Sequence, residues 1–597
     1  MMHMRQRTTR IRPHRRQRRG MALAGTMLVL FGIMTVMLLG SLGLQSGGSG
    51  SGVMANTDNA VQLSRARLQS VAAFNLAESG VEYTLQWLNQ QPAPPNISAA
   101  YAPPLWGATS AGNPARAVVT PDPNFPGNTF SVVIYPDPGN NGNDQKKYLI
   151  ESVGVSGGLT QIVQAYIEVT SLSKWLVLVD KWPANNWWVS GLSTFDGPVH
   201  DNNSDGRNED VYWKSTATSP MWTYTGSDAY NVSGNGVNWW KDNWYNAGAP
   251  QSDSDWKKIL AGGQNTLQTN TDKVTFPASS QTQMNAALNG ATPPAASAPV
   301  GVTVPTGGGL YIHGDVQQMT LSVDNSGNQV IKVQQTDSNG NPYTTTVTLN
   351  ASSSPGSTQV HVDYMVPNGN SGTYKAASSD QSYAGMASGE GGKTFPTNGV
   401  VYCDGNIGSQ GDPKTGGLAG TVADNTYDAS GALAHVNSLS VVTDASKNCN
   451  IDGNLVYNTA RQKDASGNYL PENQDPNFTK YAGTLGVVSN TILITTQDAS
   501  GNAITNLEVD GSILAYNLYD VDQLWTRPIG TWENMGGYLS ANMGYFGVGD
   551  EYGNMYSGMA TNFNYDARMR NTPPPYFPTT GSQYDVISWQ RVSSTLQ

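Results

Sequence analysis

Cysteine is almost missing from this chain. Two thiols, Cys403 and Cys449, in 597 residues rule out a disulfide-framed scaffold. Charge is scarce as well: Asp, Glu, Lys and Arg make up 13% of the residues, which sets the chain apart from intracellular α/β enzymes and close to turn-rich β proteins. The six histidines (His3, His14, His200, His313, His361 and His435) are scattered, with no H-E-x-x-H, no Cys/His zinc spacing and no phosphate loop. Zinc proteases, zinc fingers and P-loop nucleotide hydrolases are thereby excluded. Positive charge is missing from the bulk of the chain. Residues 1–20 hold eight of the 33 Lys and Arg, leaving 25 against 44 Asp and Glu, a balance of −19 for residues 21–597. Non-specific nucleic-acid affinity comes from cationic groups that displace counterions, so direct nucleic-acid binding is not expected.

What is present starts at the N-terminus. Residues 1–20 carry Arg5, Arg7, Arg10, Arg12, Arg15, Arg16, Arg18 and Arg19 and no acid, and residues 21–44 follow without a charge. At about 1.5 Å per residue this run is long enough to cross a bilayer as a helix. The arginine block predicts a cytoplasmic N-terminus and an exported body, that is, a single-pass inner-membrane protein. A Gly/Ser joint at 46–52 leads into a stripe of Leu63, Ala66, Ser70, Ala73, Phe74, Ala77, Val81, Leu85 and Leu88, with Arg65, Arg67, Gln69 and Glu82 opposite. Spacings of three and four predict an amphipathic helix.

Arg18-Arg19-Gly20-Met21-Ala22-Leu23, the apolar run and Phe74-Asn75-Leu76-Ala77-Glu78-Ser79-Gly80-Val81-Glu82 resemble the N-terminal region of PilX-type minor pilins. The resemblance implies that a prepilin peptidase cuts between Gly20 and Met21. It further implies that the helix packs with other minor and major pilins, and that the processed chain reaches a pilus or the cell surface. Major pilins carry a glutamate at the fifth mature position, where this chain has Gly25; minor pilins that lack it are thought to sit at or near filament tips.

Beyond the helix, a Pro- and Ala-rich stretch (90–126) precedes extended segments at 129–135, 147–155 and 160–170, the last two joined through Ser156-Gly157-Gly158. Residues 173–300 are rich in Trp and Asn, as in Trp187-Trp188 and Trp239-Trp240-Lys241-Asp242-Asn243-Trp244-Tyr245. That interleaving suits a sugar-stacking face or the core and turns of a loop-rich insertion. From 301 on, His313-Gly314-Asp315, Asp404-Gly405-Asn406, Asp452-Gly453-Asn454 and Asp510-Gly511-Ser512 each place a glycine between polar residues and ahead of an aliphatic one. Glycine turns that leave an aliphatic pointing into a stacked core follow the logic of a β-solenoid with inserted hairpins. This part resembles the body of some large PilX-type proteins, as do Phe195-Asp196-Gly197-Pro198-Val199-His200 and the ending Tyr565-Asp566-Ala567-Arg568 with Pro573-Pro574-Pro575-Tyr576-Phe577-Pro578.

The expected fold class is thus an N-terminal transmembrane/amphipathic pilin helix with a small α+β pilin-like head, followed by a large mainly-β body of β-solenoid type. The expected divisions are a leader at 1–20, a membrane helix at 21–45 and a joint at 46–52. A head at 53–172, an insertion at 173–300 and the β body at 301–597 complete the chain.

Candidate chemistry is limited. Asp201, Asn203 and Asp205 alternate ahead of Gly206, with Arg207 able to give a carbonyl and Glu209 or Asp210 able to close the shell. This is the plan of a calcium loop holding a structural ion, although the closing glutamate at the twelfth position is replaced by Tyr212; an acidic turn capped by its own side chains is the alternative. Cys403 and Cys449 fall beside two of the glycine turns. A bridge between them would close a loop worth about 4 kcal/mol in the chain-entropy model, and two buried thiols are the alternative. Asp404, Asp452 and Asp510 form a column that a polysaccharide-degrading solenoid would use, yet Asp before Gly is also what turn chemistry selects. The expected function is a minor pilin-like filament component that displays its β body near the tip for adhesion or capping, and not an enzyme. A membrane-anchored surface-binding protein outside any filament is the alternative.

Overall fold

The computed structural model describes residues 50–89, 97, 99–136, 147–183, 187–189, 194–206, 208–234, 237–242, 246–350, 357–368, 373–387, 394–411, 415–427, 433–435, 437–465, 469–470, 474–495, 504–521, 528–549 and 555–593. Among the described residues the one long helix, Gly50–Asn89, has 40 residues, about 60 Å at 1.5 Å per residue. Gly50-Ser51-Gly52 form its first turn, so this part of the predicted joint is helical. A glycine costs about 1 kcal/mol in a helix, a penalty that a helix of this length absorbs.

The helix rests on an antiparallel sheet in the order Thr109–Ala111, Arg116–Val119, Thr129–Pro136, Lys147–Ser156, Leu159–Ser171, Thr579–Val592. Alternate residues Phe130, Val132 and Ile134, and Val163, Ala165 and Ile167, are buried beneath it, the period-2 spacing of one strand face. Gly157 and Gly158, at φ 56° and 82°, make the tight turn between the fourth and fifth strands, where both central residues need positive φ. Helix and sheet approach through glycine: a Cβ on Gly154 would lie 2.0 Å from the Ala73 carbonyl oxygen, and one on Gly80 2.1 Å from Ser152 Oγ. Inside the sheet the buried Glu151 pairs with Arg116 and accepts a hydrogen bond from Gln164 Nε2 at 2.7 Å.

The sixth strand of this sheet comes from the far end of the chain. Ser171 and Thr579 are register partners, and Leu172 N–H donates to the Pro578 carbonyl at 2.9 Å. Residues 172–578 are therefore inserted between two neighbouring strands of one sheet. Within them runs a mainly parallel ladder. Leu310–His313 pairs with Val400–Cys403, then Leu439–Thr443, Leu485–Ile494, Asn506–Val521 and Pro528–Met543. From there it continues to strands early in the sequence: Val177–Lys181, Val199–Asp201, Tyr230–Val232 and Leu267–Gln268. Side chains on one face of the ladder, among them Ile312, Val401, Val441, Val487, Ile513, Tyr538, Val177, Val199 and Tyr230, merge into a single interior. The opposite face, with Tyr311, Tyr402, Val442, Val488, Leu514 and Leu539, is covered in part by helix Gln281–Leu288. An antiparallel meander, Gln318–Val323, Gln329–Thr336, Pro342–Asn350, Ser357–Pro367 and Tyr374–Ala384, branches from the ladder.

Three expectations are corrected. The fold class predicted from the sequence is overturned: the described molecule is mostly β-sheet with few helices, and none of them is long and apolar enough to cross a membrane. Helix Gly50–Asn89 carries Asp58, Arg65, Arg67, Glu78 and Glu82, and a charge at the centre of a bilayer costs about 2.5–3.5 kcal/mol even on permissive scales. The inner-membrane localisation falls with it; the run at 21–45 on which it rested, and Gly20 and Met21, lie outside the described residues. The supposed glycine corners also divide. Gly314 sits at φ 87° past the end of a strand, whereas Gly453 and Gly511 lie inside Asn448–Tyr457 and Asn506–Val521. At Gly511 the reason is proximity, since a Cβ there would stand 2.7 Å from the Leu485 carbonyl oxygen of the next strand.

Candidate functional site

The helix presents two different surfaces along its length. From Ala73 onward, Ala73, Ala77, Val81, Thr84 and Leu88 are buried on the sheet, and the buried Thr84 hydroxyl donates to the Gly80 carbonyl at 2.8 Å. Residues 59–65 are all exposed. Val61, Leu63, Leu68 and Val71 stand in solvent, Leu63 at 56% and Val71 at 57% of full exposure. Of the predicted apolar stripe Leu63 is exposed, Ala66 and Ser70 are half-buried, and Ala73, Ala77, Val81 and Leu88 are buried, whereas Val61, Leu68 and Val71 lie outside it.

The acidic stretch at 201–209 resolves into two buried carboxylates and an exposed turn. Asp201 shares the parity of Val199 and Glu209 that of Val211 and Trp213, and all three apolar residues face the common interior. Asp201 and Glu209 consequently point inward, both buried, from the ladder and from the small parallel sheet of Trp187–Val189, Glu209–Trp213 and Val237–Lys241. Asp201 Oδ1 accepts the Asn203 N–H at 2.7 Å. Burial pushes the Asp201 carboxyl up to about 7, helped by the charges of Asp205 and Asp180 and opposed by the Asn203 N–H and the contact with Glu209. That carboxyl-to-carboxyl contact is a hydrogen bond only when one partner holds a proton. The turn follows, with Asn203 at φ 45° and Gly206 at φ 73°, and Asp205 exposed; Arg207 lies outside the described residues. Asp180 braces it from the preceding strand, accepting from Asn202 Nδ2 at 3.1 Å and Ser204 Oγ at 2.5 Å. Tyr230, which the sequence reading passed over, sits at the register position beside Val199 and is buried against this pair. Burial, with the charges of Glu209 and Asp201, holds its hydroxyl well above the usual range.

Cys403 and Cys449 are both buried, and both are free thiols. Cys403 pairs in register with Thr443 and Ile312, whereas Cys449 pairs with Ile492 and bridges to Ile407, so the two occupy different ladders. Burial pushes the Cys403 thiol up to about 12 and raises that of Cys449 further. Two of the three aspartates in the column are taken up by structural bonds, and the buried Asp510 Oδ1 has no hydrogen-bond partner. Asp404 accepts from His313 Nδ1 at 2.6 Å, Gly314 N at 2.7 Å and Tyr311 OH at 3.1 Å, and Asp452 accepts from Gln318 Nε2 at 3.1 Å. Asp510 is buried, its carboxyl raised well above the usual range by that burial. In the Trp/Asn-rich part, Trp213 and Trp222 are interior, and Trp222 stacks between Phe195 and Tyr230 at 5.4 and 4.8 Å. Among the described residues no three His, Cys, Asp or Glu side chains converge as a metal cluster.

No protein-family model matches the chain, and no curated protein matches it. Among solved structures it is similar to the crystal structure of the competence-associated pilin ComZ from Thermus thermophilus. The identity is 15%, over 88% of this chain and 97% of that one, with a TM-score of 0.25. A likeness at that score fixes neither fold nor function.

Proposed function

We propose that the chain is a pilin-like component of a type IV pilus or related filament, and that it acts by assembly rather than by catalysis. One observation carries the reading. A single helix is sunk into a sheet over its second half and leaves Val61, Leu63, Leu68 and Val71 uncovered over its first. Apolar helix side chains left in water ask for a partner surface, and the helices of neighbouring pilins supply one of the right shape. The N-terminal resemblance supports the same reading, with cleavage by a prepilin peptidase between Gly20 and Met21. Gly25 in place of a glutamate favours a position at or near the tip, where the β body would serve adhesion or capping.

The test is the mass of the intact chain recovered from cells that make the filament. A chain starting at Met21, with a Gly20→Arg variant left uncut, is the expected result. A start upstream of Gly20 in the unaltered protein overturns the reading.

A further inference from the structure

We propose that Asp201, Asn203 and Glu209 hold a hard divalent cation of the calcium type, wedged between the parallel ladder and the small sheet that carries Glu209. Spacing alone does not carry this; the polar atoms left over inside the fold do. Asp201 Oδ2, Asn203 Oδ1 and the Tyr230 hydroxyl are all buried and lack a hydrogen-bond partner. Asp201 and Tyr230 are almost wholly inaccessible, at 0% and 1%. They come from separate strands that are in register with one another, Tyr230 beside Val199 and Val232 beside Asp201, so these two share one face, and Asn203 follows in the turn with its N–H bonded to Asp201 Oδ1. Buried polar atoms are nearly always satisfied in native proteins, and an ionised carboxylate in an apolar interior demands a countercharge.

No ion pair among the described residues reaches Asp201. The ammonium of Lys273 goes to Ser204 Oγ at 3.0 Å, on the outer side of the turn. The unmet demand is therefore for positive charge offered to oxygen atoms. Two carboxylates and a side-chain amide oxygen, completed by water on the side of the exposed Asp205, match the irregular all-oxygen shell of calcium better than the strict octahedron of magnesium. Nitrogen and sulfur donors are absent from this set, which disfavours zinc. In this arrangement the ion ties the strand Val199–Asp201 to the strand Glu209–Trp213, and Tyr230 closes the inner wall by donating its hydroxyl to a bound carboxylate.

The experiment uses the full-length protein, stripped with a chelator and then titrated with Tb³⁺ and Ca²⁺. Expected are one calcium per chain by elemental analysis and Tb³⁺ emission sensitised through Tyr230 and its stacked neighbour Trp222. Calcium should displace that emission and raise the thermal midpoint. Asp201→Asn should abolish all of these effects. Asn203→Gly removes the amide oxygen while suiting the φ of 45°, so it should fold normally and bind calcium more weakly. If the unaltered protein binds neither ion at millimolar concentration and melts identically with calcium or chelator, the carboxyl pair holds a proton instead and the proposal is overturned. Equal binding by the correctly folded Asn203→Gly and Asp201→Asn variants would overturn it too, by placing any bound ion elsewhere.

Discussion

Arg568 shows how much a single side chain can join. Its guanidinium donates from Nε and Nη2 to both carboxylate oxygens of Asp566, at 2.9 and 2.7 Å, and from Nη1 to the Ala482 carbonyl at 2.5 Å. It also lies over the Phe478 ring at 4.1 Å. Both ions are buried. Arg568→Met strands the Asp566 charge, and a loss of about 3–5 kcal/mol is expected in urea unfolding; Arg568→Met with Asp566→Leu should recover much of it. The two cysteines allow a simpler check. With burial holding both thiols far above neutral pH, neither should react with a thiol reagent at pH 8, and both should react once the chain is denatured. His361 works in the opposite direction. Asp380 and Asp363 accept from its two ring nitrogens at 2.7 and 3.2 Å, and the Asp380 hydrogen bond does most to raise its pKa. A folded value above the unfolded one of about 6.5 means that the pair's support of the meander is complete below that pH and fades as pH rises through the folded value. The NMR titration of the His361 ring should show the raised midpoint, and Asp380→Asn should lower it. At this scale the sequence was only half legible. It singled out Asp201 and Glu209 by spacing, but Tyr230 became visible only through register, because no local pattern ties it to a turn 25–30 residues earlier.

At the scale of elements, periodicity did well where one face is covered. Strands predicted at 129–135, 147–155 and 160–170 appear as Thr129–Pro136, Lys147–Ser156 and Leu159–Ser171. The helical stripe was equally plain from Leu63 to Leu88, yet spacing cannot tell which half of a stripe finds a sheet; the glycines at 80 and 154 decide that. Gly154→Ala should push the helix off its seat and destabilise the protein by about 1–3 kcal/mol, read by urea unfolding. Leu63→Glu together with Leu68→Glu, both in the uncovered half, should leave unfolding within about 0.5 kcal/mol of the parent and yet remove the chain from sheared filaments. Normal incorporation of that double variant would sink the assembly reading. The misread elements have a common cause as well. Asp-Gly at 452 and 510 reads as a turn, yet both glycines lie inside strands, and at 511 the glycine admits a neighbouring backbone; sequence alone does not separate the two uses.

For the whole molecule, the order of the chain conceals its connectivity. Composition pointed correctly to a β-rich body, but the last strand was assigned to that body when it completes the first sheet. Nothing near residue 579 signals a partner more than 400 residues upstream, because strand pairing at that distance leaves no local trace. The expected consequence is direct. Since Ser171 and Thr579 are register partners, their Cα atoms lie about 4.5–5.5 Å apart, and a short turn replacing residues 172–578 should leave the helix and its six strands folded. Ending the chain at Pro578 should instead unfold that sheet while sparing the ladder, which hydrogen exchange would resolve.

Because the body leaves and re-enters through adjacent strands, it is fastened to its base by two covalent tethers. A single protease nick anywhere between 172 and 578 would cut the backbone without shedding the body. A load applied to it would be divided between the two neighbouring strands instead of unravelling one loose end. The attachment of the body gains durability from that geometry alone, before any bond inside the body is counted.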